Sequence, residues 1–211
     1  MGSFGKSMAA LGVLALAACD TATPTENAIE EAQGPEGEAV PPGSEAASEC
    51  LEDIWQAREA MGDFDADAER RFDQQHDSAK GGAISCATGT SASQFEATLT
   101  ALRAAATDSD RAGLLAEAGI PLLFISADGE TRQLESPEAL EAAFDTVFAP
   151  ATIEKLRILS LDDMTVVPGK GGFFELGAFW LVVPELGARP QLATVNDQAA
   201  AEAALLDDGT T

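Results

Sequence analysis

The sequence predicts an α+β fold in which a curved antiparallel sheet wraps around helices that precede and interrupt it. Three observations carry that expectation. Apolar residues recur at helical spacing through residues 93–157. Short strand-like runs separated by Gly and Pro turns fill residues 164–196. A strand–turn–strand pattern, Pro121 to Leu134, sits between the helical stretches. Helices set before and within a run of strands fit a layer of helices against one sheet.

Taken in chain order, the first element is a short apolar run. Lys6 and the amino terminus make a weakly basic start, and Met8 to Ala18 is apolar throughout. That run is too short to cross a bilayer, which needs about 20 residues. A short apolar run ending in small residues reads as an export signal. With Leu16-Ala17-Ala18-Cys19 at its end, it resembles the bacterial lipoprotein signal and its lipobox. The resemblance implies cleavage before Cys19, a diacylglycerol on its thiol and an acylated new amino terminus (palmitate-type lipidation). Two or more acyl chains anchor stably, at about 0.8 kcal/mol per buried methylene. In Gram-negative members of that class Asp after the lipidated Cys directs retention, so Asp20 implies the periplasmic face of the inner membrane, with the outer membrane as the alternative.

Residues 19–48 follow as an acidic stretch with Glu26, Glu30, Glu31, Glu36, Glu38 and Glu45 and no basic residue. Pro24, Pro35, Pro41 and Pro42 interrupt any regular element. Such a composition buries too little apolar surface to offset chain entropy and is expected to be a disordered tether. At 5–6 Å times the square root of its length, it would place the folded part on average about 30 Å from the anchor.

The chain has 12 basic and 36 acidic side chains, a net charge of −24. Losing the signal removes only Lys6, leaving about −25. That charge argues against nucleic acid and against docking on anionic lipid, both of which call for basic surface.

Beyond Cys19, two cysteines remain, Cys50 and Cys86. An even pair in an oxidising compartment is expected to form one disulfide. Closing a loop of about 36 residues stabilises by roughly 3.5–4 kcal/mol in the chain-entropy account. Leu51, Ile54, Trp55 and Arg58 to Met61 fall at helical spacing, and Phe64, Ala68 and Phe72 continue after Gly62. Residues 49–92 are therefore expected to form a helical hairpin and loop clipped by the disulfide, with 78–92 as the loop.

The main domain is expected over 93–196. Ser93-Gln94-Phe95-Glu96 has the form of a capping box, followed by the apolar face Phe95, Leu99, Leu102 and Ala106. A short helix with Leu114 and Leu115 ends at Gly119. Pro121 to Ser126 and Thr131 to Leu134 read as strands joined by Asp128-Gly129. Ser136-Pro137-Glu138 opens a helix with Leu140, Ala143, Phe144, Val147 and Phe148 inward, and Pro150 starts another through Leu156. Met164 to Val167, Phe173 to Val183 with a bend at Gly177, and Gln191 to Asn196 read as three strands. The tail, 197–211, is Ala-rich and acidic, and the expectation is a surface helix through Leu205 and Leu206 or a frayed end.

The order of these motifs resembles the nuclear transport factor 2-like, cystatin-related cone fold. The residues that carry it are Ile120-Pro121-Leu122-Leu123-Phe124, the Asp128-Gly129 hairpin, the helix ending Phe148-Ala149-Pro150, and Ala193-Thr194-Val195-Asn196. They look like a group of small exported bacterial proteins without an agreed activity. The resemblance covers roughly half the chain. It implies an apolar cone that Phe124, Phe144, Phe148, Phe174 and Trp180 would line, and relatives that often dimerise through the sheet.

Steroid isomerases with this fold pair a carboxylate base with a Tyr donor, because an enolate needs a proton acceptor and an oxyanion stabiliser together. This chain has no Tyr. An enzymatic reading, a hydrolase or isomerase, would need Asp145 or Asp163 as base and Trp180 as donor. His76, the only histidine, lies in a polar run without a nucleophile elbow. One His and two paired Cys do not make a zinc site, and Pro168-Gly169-Lys170-Gly171-Gly172 lacks the Gly-Lys-Ser/Thr of a phosphate loop. No catalytic, cofactor or metal residue is assigned. The expectation is a membrane-anchored, non-catalytic module for an envelope protein or small apolar ligand, with a homodimeric envelope subunit as the structural alternative.

Overall fold

The computed structural model describes residues 38–62 and 65–208. The expectations on Cys19, Asp20, Phe64 and most of the acidic stretch lie outside these residues.

Helix α1, Glu45–Met61, starts within the stretch expected to be tether, because the Ser44 side chain accepts from the Ala47 amide and caps it. It ends at Gly62, whose φ of +81° is the left-handed conformation that glycine adopts without Cβ strain. Helix α2, Ala66–His76, is capped by Asp65. The segment expected as a plain loop contains a short helix α3, Ile84–Thr88. A disulfide between Cys50 and Cys86 joins α1 to α3 with Cα atoms 5.3 Å apart.

Helix α4, Ala92–Asp108, is the central helix. Its start corrects the expected capping box: Ser91 is the N-cap, the Ser91 hydroxyl bonds that of Ser93, and Glu96 instead pairs with Arg103. Phe95, Leu99, Leu102 and Ala106 are fully buried. After α5, Arg111–Glu117, strand β1 runs Ala118–Ile125, so Gly119 lies inside a strand. Strand β2 is Thr131–Leu134. The expected single helix after Ser136 divides at Ala143 into α6, Pro137–Ala142, and α7, Phe144–Val147, and α8 is Pro150–Leu156.

Four strands follow rather than three. They are β3, Thr165–Val167; β4, Gly171–Phe174; β5, Phe179–Val182; and β6, Gln191–Asn196. The expected bend at Gly177 is a full reversal. Glu175, Leu176 and Gly177 all have positive φ (46°, 56° and 90°), and this left-handed turn splits the predicted long strand into a hairpin. Helix α9, Asp197–Asp208, closes the described chain with Leu205 and Leu206 in solvent.

The architecture is α+β with a six-stranded curved, open sheet in the order β2-β1-β6-β5-β4-β3. It is mixed, which corrects the antiparallel expectation: β1 pairs parallel to β6, with Phe124 opposite Val195, while all other pairs are antiparallel. Strand periodicity fixes which face each side chain takes but carries no signal for strand direction. Only the helical crossover between β2 and β3 returns the chain so that its last strand lies beside its first. One core fills the concave face, with Phe95, Leu122, Phe174, Phe179 and Leu181 among its most buried members.

Candidate functional site

The sheet places the residues of its outer face in one register. Gln133 lies opposite Leu123, Leu123 beside Thr194, Thr194 opposite Trp180, Trp180 opposite Phe173 and Phe173 opposite Thr165. This row crosses all six strands. Thr131, Ile125 and Asn196 extend it on one side, and Val167, Gly171, Val182 and Gln191 on the other. None of these positions carries a charge, in a chain whose side chains are 23% charged. On β4 and β5 Phe173 and Trp180 pack with ring centroids 4.9 Å apart. Both are only partly buried, and the Trp180 indole nitrogen sits over Gly177, where an added Cβ would stand 3.1 Å from it.

The expected cone lining is not brought together. Phe124, Phe144, Phe148 and Phe174 are at most 8% exposed and are packed into the core, with Phe144 and Phe148 centroids 5.0 Å apart. Trp180 stands on the opposite face of the sheet. Asp145 has 95% of its side chain exposed beside Arg111, and Asp163 is exposed as well. His76 is half-buried and stacks on Phe72 with centroids 4.2 Å apart.

A second constellation was not anticipated. Glu69 and Asp73 on α2, and Asp77 at its C-cap, recur every four residues along one side of the helix. That face is turned inward. Glu69 meets Arg58 at 3.3 Å and accepts from Gln94 at 3.1 Å. Asp73, fully buried, accepts from the Trp55 indole at 2.8 Å and from the Ser93 amide at 2.7 Å. Asp77, 7% exposed, accepts from the Ser85 amide at 2.7 Å and the Ser85 hydroxyl at 2.6 Å. Ser93 and Ser85 lie in the first turns of α4 and α3, whose amides lack intrahelical acceptors. Helix α2 thus supplies the N-terminal caps of the two helices that follow it. Neither aspartate has a basic partner among the described residues. Burial, with Asp73 adding repulsion, pushes the Asp77 carboxyl above its ordinary 3.8, against the pull of its bonds to Ser85. The fourfold spacing is visible in the sequence, but it does not say whether the acids meet water or neighbouring amides.

Two clefts lie beside these features. One, of about 330 Å³, is walled by Pro42, Ala47, Ser48, Leu51, Gln74, Gln75, Asp77 and Ser78, between the start of α1 and the end of α2. The other, of about 350 Å³, lies between α8 and α9, where Ala149, Ala151, Ala200, Ala201 and Ala204 surround Thr152, Lys155 and Asp197. There Thr152 donates to Asp197 at 3.2 Å, and burial, outweighing that bond, raises the Asp197 carboxyl above 3.8. Lys155 is paired with Glu175.

Among the described residues no group of three or more His, Cys, Asp or Glu converges on a metal-sized site, and no helix is long and apolar enough to cross a membrane. Comparison with models of known families, with curated proteins and with solved structures finds no match for this chain.

Proposed function

We propose that this chain is a lipid-anchored, non-catalytic module of the bacterial envelope that holds a protein partner on the outer face of its sheet. The observation that carries the reading is the uncharged outer face on which Phe173 and Trp180 pack together. A face of that kind loses little by desolvation, and aromatic anchors are what interfaces use. The net charge of −24 would repel the rest of the surface from anionic lipid, so attachment to the membrane falls to Cys19. The apolar interior that would be a substrate cone is occupied by phenylalanines, and Asp145 and Asp163 face solvent, which directs binding to the surface. We take the fold to be nuclear transport factor 2-like. The long α4 before the first hairpin, the helical crossover and the closing four strands support that reading.

Two measurements test it. Labelled palmitate should enter the wild-type chain and not Cys19→Ser; equal labelling would sink the anchor. A photo-crosslinking residue at position 180 in intact cells should trap a discrete partner that Phe173→Glu abolishes. Trapping that is unchanged by Phe173→Glu, or absent, would remove the face from the proposal.

A second reading has the same face pair with another copy of this chain. An uncharged patch on an otherwise acidic chain favours it, since two copies can meet there without like-charge contact. Sedimentation velocity over a hundredfold concentration range should then show a dimer that Trp180→Glu dissociates; a concentration-independent monomer excludes this reading.

A further inference from the structure

We propose that the cleft between α1 and α2 binds a small organic cation, an aliphatic primary ammonium, with Asp77 as its counter-ion. This inference is independent of the sheet-face reading. A buried carboxylate is normally paired with a cation or hydrogen-bonded on all sides. Asp77 is 7% exposed, has no basic neighbour within ion-pair distance among the described residues, and accepts one amide and one hydroxyl bond from Ser85, with the Ile84 amide as a further donor beside it. An ionised carboxyl has about four acceptor positions, so these donors leave at least one open. Asp77 also forms part of the wall of the cleft.

The rest of that wall suits the same ligand. Gln74, Gln75 and Ser78 stand at the C-terminal end of α2, the negative end of its dipole, where cations are favoured. Ser48 and the two glutamines offer acceptors for the remaining ammonium hydrogens. Leu51 and Ala47, buried at 5% and 2% exposure, give an apolar surface for a short methylene stem. The volume of about 330 Å³ admits a group the size of a lysine side chain. Asp73, one turn away, adds negative potential without facing an opposing cation. The carboxyl of Asp77, raised by burial, is the group that a bound cation would relieve.

The test is titration of the full chain with n-butylammonium chloride, read by calorimetry and by the carboxyl carbon shift of Asp77. The expected result is saturable binding below about 1 mM with the Asp77 titration moved downward. Asp77→Asn keeps an acceptor for the Ser85 amide and should weaken binding at least tenfold. Ser48→Phe, which narrows the mouth from an exposed position, should weaken it while leaving Asp77 in place. Asp145→Asn, which removes an exposed charge elsewhere, should change nothing. Non-saturable binding, equal displacement by sodium at matched ionic strength, or undiminished binding in both Asp77→Asn and Ser48→Phe would overturn the proposal.

Discussion

At the scale of single residues, Asp73 does the most. Its two oxygens satisfy the Trp55 indole on α1 and the Ser93 amide at the start of α4. An amide in its place has only one acceptor oxygen, so one buried donor is orphaned, at about 1–3 kcal/mol. Asp73→Asn should lower unfolding free energy by that amount in urea titrations, and Asp73→Ala by more. Combining Asp73→Ala with Trp55→Phe removes the orphaned indole donor, so the double variant should lose less than the two single losses together.

Asp77 makes the opposite point about charge. Its folded-state carboxyl is raised above 3.8, chiefly by burial. The folded protein therefore holds its proton more tightly than the unfolded chain. The stability this contributes is full below pH 3.8 and is lost as pH rises through the raised value. Measured between pH 3 and 7, the stability of the wild type relative to Asp77→Asn should fall as pH increases. A difference that is flat across the range would mean the carboxyl titrates alike in both states. Neither aspartate was legible as structural from the sequence, since i, i+4 acids on a polar helix have the same pattern whether they face water or neighbouring amides.

At the scale of elements, the disulfide and one glycine make separate predictions. Cys50 and Cys86 are 36 residues apart, and opening that loop should cost roughly 3.5–4 kcal/mol in the chain-entropy account. Adding reductant, or replacing both by Ser, should lower the urea midpoint accordingly, without changing the strand signal by circular dichroism. Gly171 begins β4 with φ +108°, and an added Cβ would lie 2.3 Å from the Leu181 carbonyl oxygen. Gly171→Ala should therefore prise β4 from β5 and destabilise by about 2 kcal/mol or more, combining close contact with a backbone conformation that costs 1–3 kcal/mol outside glycine.

The disulfide pair, β2, β6 and the helix opening at Pro137 were legible because each rests on local chemistry: two thiols, alternation, a Ser cap and a Pro at the first turn. The reversal at Glu175-Leu176-Gly177 was hidden because Glu and Leu seldom take positive φ. The outer-face row was hidden as well. Its members come from six strands that the sequence gives no means of aligning.

At the scale of the whole molecule, charge sets one more expectation. A net −24 on a chain of this size opposes compaction by self-repulsion. Raising ionic strength from 0.01 to 0.15 M shortens the screening length from about 30 to 8 Å. Unfolding midpoints at pH 7 should rise with sodium chloride over that range; a falling midpoint would show that the ion pairs Arg58–Glu69 and Arg189–Glu117 outweigh the repulsion.

The parallel pairing of β1 with β6 also dictates an order of events. During synthesis or export, β1 emerges with only β2 to pair with, and β3, β4 and β5 then form a separate meander on the far side of a gap. Until Gln191–Asn196 arrives, the two halves have no strand in common. Strand β6 is therefore the keystone of the sheet, and a nascent chain halted at residue 190 would hold two unjoined ribbons. Formation of the native sheet is thereby tied to the arrival of β6, the slow regime expected of long-range contacts.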